Sequence, residues 1–197
     1  YTSRGYVILL CLKSCKLLID LTNMLIHSKV ESYQIVRNHI QFGDINFFRE
    51  ECFMATITKE SFGKLSDGRE VELYTLRNTK GTEVKVTTFG ARLVAWSAYG
   101  RDHKRTDIVL GYDSGAAYEK DDTSMGGLVG RHANRIAGGK VTIDGKTYQL
   151  DLNTGSHNQN HIHGGFKGFH QKLWTAEETD QGVKLTYHAA DGEGGYP

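Results

Sequence analysis

The chain has one proline, Pro197, and three cysteines, and it lacks any apolar run long enough to cross a bilayer. Each shortage excludes something. An odd cysteine count argues against a disulfide framework, so a reducing compartment, the cytoplasm, is the default. A spanning helix needs roughly 20 mostly apolar residues. The most apolar stretch, residues 5–26, is interrupted by Lys13, Lys16 and Asp20. No secretory n-region or small-residue cleavage site accompanies it. Excess charge of one sign is also missing. Lys plus Arg is 24 and Asp plus Glu is 23, so the net charge is +1. Neither nucleic acid nor a membrane is therefore expected as a partner. No Gly-x-Ser-x-Gly elbow, reactive-cysteine context or phosphate loop is present.

The composition divides the chain in two. All three cysteines (Cys11, Cys15, Cys52) lie in residues 1–53, with only two of the 23 glycines, Gly5 and Gly43. Six basic and five acidic residues fall there, leaving 18 of each for residues 54–197. Residues 1–53 read as an N-terminal extension, poorly ordered or leader-derived, with a marginal helix. Met54 looks like a natural start for the domain that follows. At the other end, Gly194, Gly195, Tyr196 and Pro197 form a turn signal, which reads as truncation.

Residues 54–197 have the patterning of strands. Glu70, Val71, Glu72 and Leu73 alternate polar and apolar, as do Glu83, Val84, Lys85 and Val86. Residues 92–96 and 107–110 read as shorter, more buried strands. Residues 141–150 make a hairpin with Asp144 and Gly145 at its turn. Residues 174–177 and 183–187 make another. Residues 115–127 read as a loop holding one helical turn. Short, closely spaced strands without a helical period predict an all-β fold, a sandwich or barrel.

Two polar stretches stand out. In residues 160–169, His161 and His163 are followed by Gly164 and Gly165. On an extended strand the two imidazoles share a face. The glycines remove side chains where a ligand or another backbone comes close. In residues 130–136, Arg131, His132, Asn134 and Arg135 cluster between glycines. Extended geometry puts Arg131 and Arg135 on one face, His132 and Asn134 on the other. Arginine offers a fixed fork of donors and asparagine a donor and an acceptor, which suits hydroxyl-rich or anionic ligands. Pairing of these arginines with surface carboxylates is the plainer alternative.

The histidines admit three readings. His157, His161, His163 and His170 lie close enough in sequence to suggest metal ligation, but residues 156–176 supply no Asp, Glu or Cys as a further ligand. One imidazole can be hydrogen-bonded within the sheet. Ligand contact or acid–base work beside a glycine wall is the third.

Together the two stretches resemble the aldose 1-epimerase (galactose mutarotase) family. The resemblance rests on Gly130, Arg131, Ala133, Asn134, Arg135 and Ile136, then Gly139, then Tyr148, Leu150 and Asn153. It continues with His161, His163, Gly164 and Gly165, then Gly168, Phe169 and Trp174. Phe89, Gly90 and Ala91 before these, and residues 191–197 after them, also fit. It covers about residues 57–197. The resemblance implies a large β-sandwich of the galactose mutarotase type, C-terminally truncated here, and interconversion of α and β anomers of a small-molecule aldohexose. It implies no metal and no cofactor. Asn134 and Arg135 match the substrate-binding pair, and His163 matches a pocket histidine that contacts the sugar and assists catalysis. His161 is supporting, and Phe169 and Trp174 are core. The family's general acid, a histidine, and general base, a glutamate, follow the Gly-Tyr-Pro turn. They are expected beyond Pro197, so this chain alone is expected to be inactive. His188 and Glu193 do not occupy those positions. A non-catalytic carbohydrate-binding sandwich, or a hexose-phosphate epimerase suggested by Arg131 beside Arg135, are the alternatives.

Overall fold

A computed structural model describes residues 4–13, 16–20, 54–121, 123–180 and 182–197. The architecture is an all-β sandwich with one short helix. One sheet is an antiparallel meander of β3 (Met54–Lys64), β4 (Glu70–Asn78), β5 (Glu83–Thr87), β6 (Arg92–Tyr99) and β7 (Arg105–Asp107). The facing sheet is built in the order β12 (Thr175–Thr179), β13 (Gly182–Ala189), β1 (Arg4–Lys13), β2 (Lys16–Asp20). Two ribbons complete the chain. One pairs β8 (Arg135–Ala137) with β11 (Asn160–Ile162), and the other pairs β9 (Lys140–Ile143) with β10 (Lys146–Gln149).

The apolar alternation of the strands builds a core between the two sheets. Tyr74, Leu76, Val84 and Val86 project from the meander onto Ile8, Leu10, Val183 and Leu185 of the other sheet. Full burial of such side chains stabilises the fold by about 1.5–3 kcal/mol each. Phe169 plugs one end of this layer. Its ring meets Tyr6, Trp174 and Tyr187 edge-on, at centroid distances of 4.6, 5.5 and 5.8 Å. A second core lies on the outer face of the meander, where Phe62, Val71, Leu73, Phe89 and Val94 pack around Tyr118. Tyr118 is delivered by α1 (Gly115–Glu119), which Ser114 caps through its hydroxyl to the Ala117 N–H.

The hairpin at residues 140–149 forms as expected. Asp144 and Gly145 both take positive φ, 49° and 76°, which a tight hairpin turn demands. Two expectations fail. The run at 107–110 does not continue a buried strand, and Ile108 and Leu110 are 62% and 79% exposed. Asp107 stops the ladder by accepting the Trp96 and Val109 N–H groups on its own carboxylate. The apolar run after residue 5 is not helical either. Residues 4–13 form β1 and pair antiparallel with β13 from Arg4↔Ala189 to Leu10↔Val183. An open sheet edge and an apolar partner face outweigh a weak helical pattern. Residues 21–53 lie outside the described residues.

Candidate functional site

The site grows from the short β8–β11 ladder, whose last pair is Arg135↔Ile162. Asn153 holds β11 from its other side as a surrogate strand. Its amide nitrogen donates to the Ile162 carbonyl at 3.0 Å, and its amide oxygen accepts the Ile162 N–H at 2.8 Å. Beyond the ladder both strands turn into the left-handed region, Asn134 at φ 66° and His163 at φ 55°. Asparagine and histidine are among the non-glycine residues that enter that region most readily, and here both are held in it by their surroundings.

The holding contacts are specific. The His163 N–H donates to the Asn134 carbonyl at 3.3 Å, and the Asn134 N–H donates to Nδ1 of His163 at 3.0 Å. Accepting at Nδ1 leaves the proton of the neutral ring on Nε2. Directly after His163 the chain presses on the opposite loop. A Cβ on Gly164 would overlap the Gly130 carbonyl oxygen, and one on Gly165 would overlap the Asp151 carboxylate. Gly164 is therefore required by close backbone approach and Gly165 by the Asp151 side chain.

His161 and His163 do not share a face, because the strand ends at Ile162 between them. His161 is fully buried. Its Nδ1–H donates to the Asp151 carbonyl at 2.8 Å, and the Tyr196 hydroxyl donates to its Nε2 at 2.7 Å. Both nitrogens are thus spent on structure. Burial is the largest influence on this ring and holds its pKa below the usual value. Burial likewise pushes Tyr196 up to about 12, so it remains a hydroxyl donor.

Residues 131–134 are a loop rather than a strand, so the expected alternation of faces does not apply there. Arg131 is a clamp. Its Nη1 donates to the Pro197 carbonyl and its Nη2 to the Ala190 carbonyl, each at 2.7 Å. Its guanidinium lies 5.5 Å from the Tyr196 ring centroid. Those bonds fasten the 191–197 turn against His161 and commit both terminal nitrogens of Arg131 to backbone carbonyls. Asn134 and Arg135 are exposed at the end of the ladder.

His163 lines an open cavity of about 1020 Å³ together with Asn153, Phe166, His170, Gln171 and Tyr187. Asn134 and Arg135 are not among its lining residues. Glu193 is already engaged, accepting the Tyr187 hydroxyl at 2.6 Å and pairing with Lys172 at 3.4 Å. His188 is exposed on β13 opposite Gly5. Among the described residues no group of three His, Cys, Asp or Glu is placed to hold a metal ion.

One buried charge behind the cavity was not anticipated. Arg92 is fully buried, donates to Asp121 at 3.3 Å, to the Met125 carbonyl at 2.6 Å and to the His170 carbonyl at 3.2 Å. Its signal in the sequence is faint, a single cation at the head of an apolar strand.

The family model described as aldose 1-epimerase matches residues 72–197. The chain belongs to the aldose 1-epimerase family. It is 39% identical over 145 residues to galactose mutarotase of Rattus norvegicus, covering 73% of this chain and 41% of that protein. It is 33% identical over 132 residues to aldose 1-epimerase of Escherichia coli (strain K12), covering 66% and 37%. Among solved structures, galactose 1-epimerase from Lactobacillus acidophilus NCFM superposes with a TM-score of 0.58 at 29% identity, covering 72% of this chain and 41% of that one. A GalM/aldose epimerase homologue from C. elegans gives 0.55 at 26% identity, covering 71% and 38%. The chain thus spans about two fifths of the length of the relatives it matches. Among the described residues no helix is long and apolar enough to cross a membrane.

Proposed function

We propose that this chain supplies the sugar-binding wall of a cytoplasmic aldose 1-epimerase acting on free aldohexoses such as glucose and galactose. The observation that carries the reading is the Asn134–His163 pairing at the cavity, which fixes the imidazole with Nε2–H as its free donor. A ring N–H is suited to a sugar hydroxyl or ring oxygen, and it stabilises negative charge developing there. Asn134 and Arg135, exposed beside it, supply further donors to the hydroxyls of a sugar reaching out of the cavity.

The reaction is the opening and closing of a hemiacetal. A base removes the proton of the anomeric hydroxyl while an acid protonates the ring oxygen. The carbon–oxygen ring bond breaks to give the aldehyde and a hydroxyl. Rotation about the neighbouring carbon–carbon bond presents the other carbonyl face, and closure gives the other anomer. Every proton taken is returned, so no cofactor is consumed. Two groups on opposite sides of the sugar perform it, with pKa values near the working pH. His163 assists from one side. On this reading the acid and base belong to the part of the relatives that this chain does not span.

Polarimetry of fresh α-D-galactose tests this reading. The chain alone should leave the spontaneous rate unchanged, and the chain continued through the region its relatives carry should accelerate it. No acceleration by the continued chain, with hexose binding retained, would favour a non-catalytic sugar-binding sandwich.

A further inference from the structure

His170 is 8% exposed and lines the same cavity as His163, yet the mechanism above gives it nothing to do. Its Nδ1 is enclosed and has no hydrogen-bond partner. A buried polar atom left unpaired is costly, and retention of one calls for an explanation.

The ring is held by everything around it. His170 sits in a 3-10 turn, Phe169–Gln171, whose first residue is anchored in the core. The Trp174 indole donates to the Phe169 carbonyl at 3.1 Å, Arg92 donates to the His170 carbonyl, and the Gln171 amide donates to the Asp121 carbonyl at 3.1 Å. Glycines wall the slot. A Cβ on Gly127 would lie 2.8 Å from the His170 Cβ, and one on Gly168 would lie 3.1 Å from its Cε1. Burial, and then the nearby Arg92 cation, push the ring pKa down to about 4, so the imidazole is neutral.

An enclosed nitrogen is better tolerated as a lone pair than as a stranded N–H. That places the proton on Nε2, the nitrogen through which the ring can meet a ligand. The tautomer then matches that of His163, and the cavity carries two fixed imidazole donors.

We propose that His170 is a second ligand-binding imidazole, donating from Nε2 to an oxygen of the hexose that His163 contacts. This rests on the sugar-pocket reading above. It assigns a binding role to a residue whose family-like neighbours, Phe169 and Trp174, are core.

Titration calorimetry with D-galactose and D-glucose, alongside nitrogen-15 NMR of the histidine rings, tests it. His170→Phe fills the slot and abolishes the unpaired nitrogen. It should weaken hexose binding about three- to tenfold, the worth of one hydrogen bond, without lowering the melting temperature. His170→Gln, which restores a donor, should recover part of the loss. In the wild-type chain the His170 Nε2 resonance should shift saturably with added sugar. Unchanged affinity in His170→Phe together with an unmoved Nε2 resonance would overturn the inference while leaving the sugar pocket standing. If the wild-type chain binds neither hexose, both fall. Should His170→Phe fail to fold, the wild-type resonance alone decides.

Discussion

The Asn134 N–H donates to Nδ1 of His163 at 3.0 Å, and both residues hold left-handed backbone. A motif at residues 130–136 and another at 160–169 are thereby locked into one object. The pairing sets the tautomer of the ring that faces the cavity. His163→Asn keeps a residue that tolerates the left-handed region but removes the ring N–H. Hexose affinity should fall about three- to tenfold by calorimetry. The loss in melting temperature should be small, since the ring is only half-buried.

The glycine pair predicts a graded response. Gly164→Ala forces a Cβ into the Gly130 carbonyl and should cost at least about 1–3 kcal/mol by denaturant unfolding. Gly145→Ala also sits at positive φ, but nothing lies within 4 Å of the added carbon. Its cost should stay near 1 kcal/mol, from backbone strain alone. Equal effects would show that the two loops are not in close contact.

Tyr196→Phe removes the hydroxyl donated to buried His161 and leaves Nε2 of that ring unpaired. A loss of about 1–3 kcal/mol is expected in chemical denaturation. The result reports directly on whether the 191–197 turn is part of the site's frame.

Acid should destabilise the fold in a defined window. His161 and His170 both have folded pKa values below the ordinary 6.5, His170 near 4. The unfolded chain therefore binds protons that the folded chain refuses. Stability is complete above pH 6.5 and declines as pH falls toward 4. The slope is about 1.4 kcal/mol per pH unit for each proton. Arg92 and His163 oppose protonation of His170, while Asp121 favours it. Melting temperatures from pH 7 to 5 should drop, and His170→Phe should flatten the drop.

Ile8→Asp tests the N-terminal strand. Ile8 is 3% exposed and packs in the inter-sheet core from β1. The substitution buries an unpaired carboxylate and should lower stability by several kcal/mol. An unaffected melting temperature would mean that residues 4–13 contribute nothing to the sandwich.

Much of the frame was legible because its signals are local. Asp144-Gly145 names its own turn, and the alternation at 70–73 and 83–86 names its own faces. The His-Gly-Gly stretch announced close backbone approach, and the structure supplies the opposing carbonyl of Gly130. What failed depends on partners distant in sequence. Residues 4–13 become a strand because β13 offers an edge 170 or more positions away. Arg131 suggests a surface carboxylate or an anionic ligand as partner, and the Pro197 and Ala190 carbonyls take it instead. His161 and His163 share a face only on an extended strand, and Asp151 and Tyr196 draw the first into the interior by taking both its nitrogens. His170 reads as one more histidine, since the slot that isolates it is built from Gly127, Gly168 and Arg92.

The central claim, a sugar pocket with His163 as its contact, is tested most directly by following the histidine ring nitrogens while D-galactose is titrated into the chain. Saturable movement of the His163 Nε2 resonance, with His161 unmoved, is the predicted result. A His163 resonance indifferent to sugar at every concentration would contradict it.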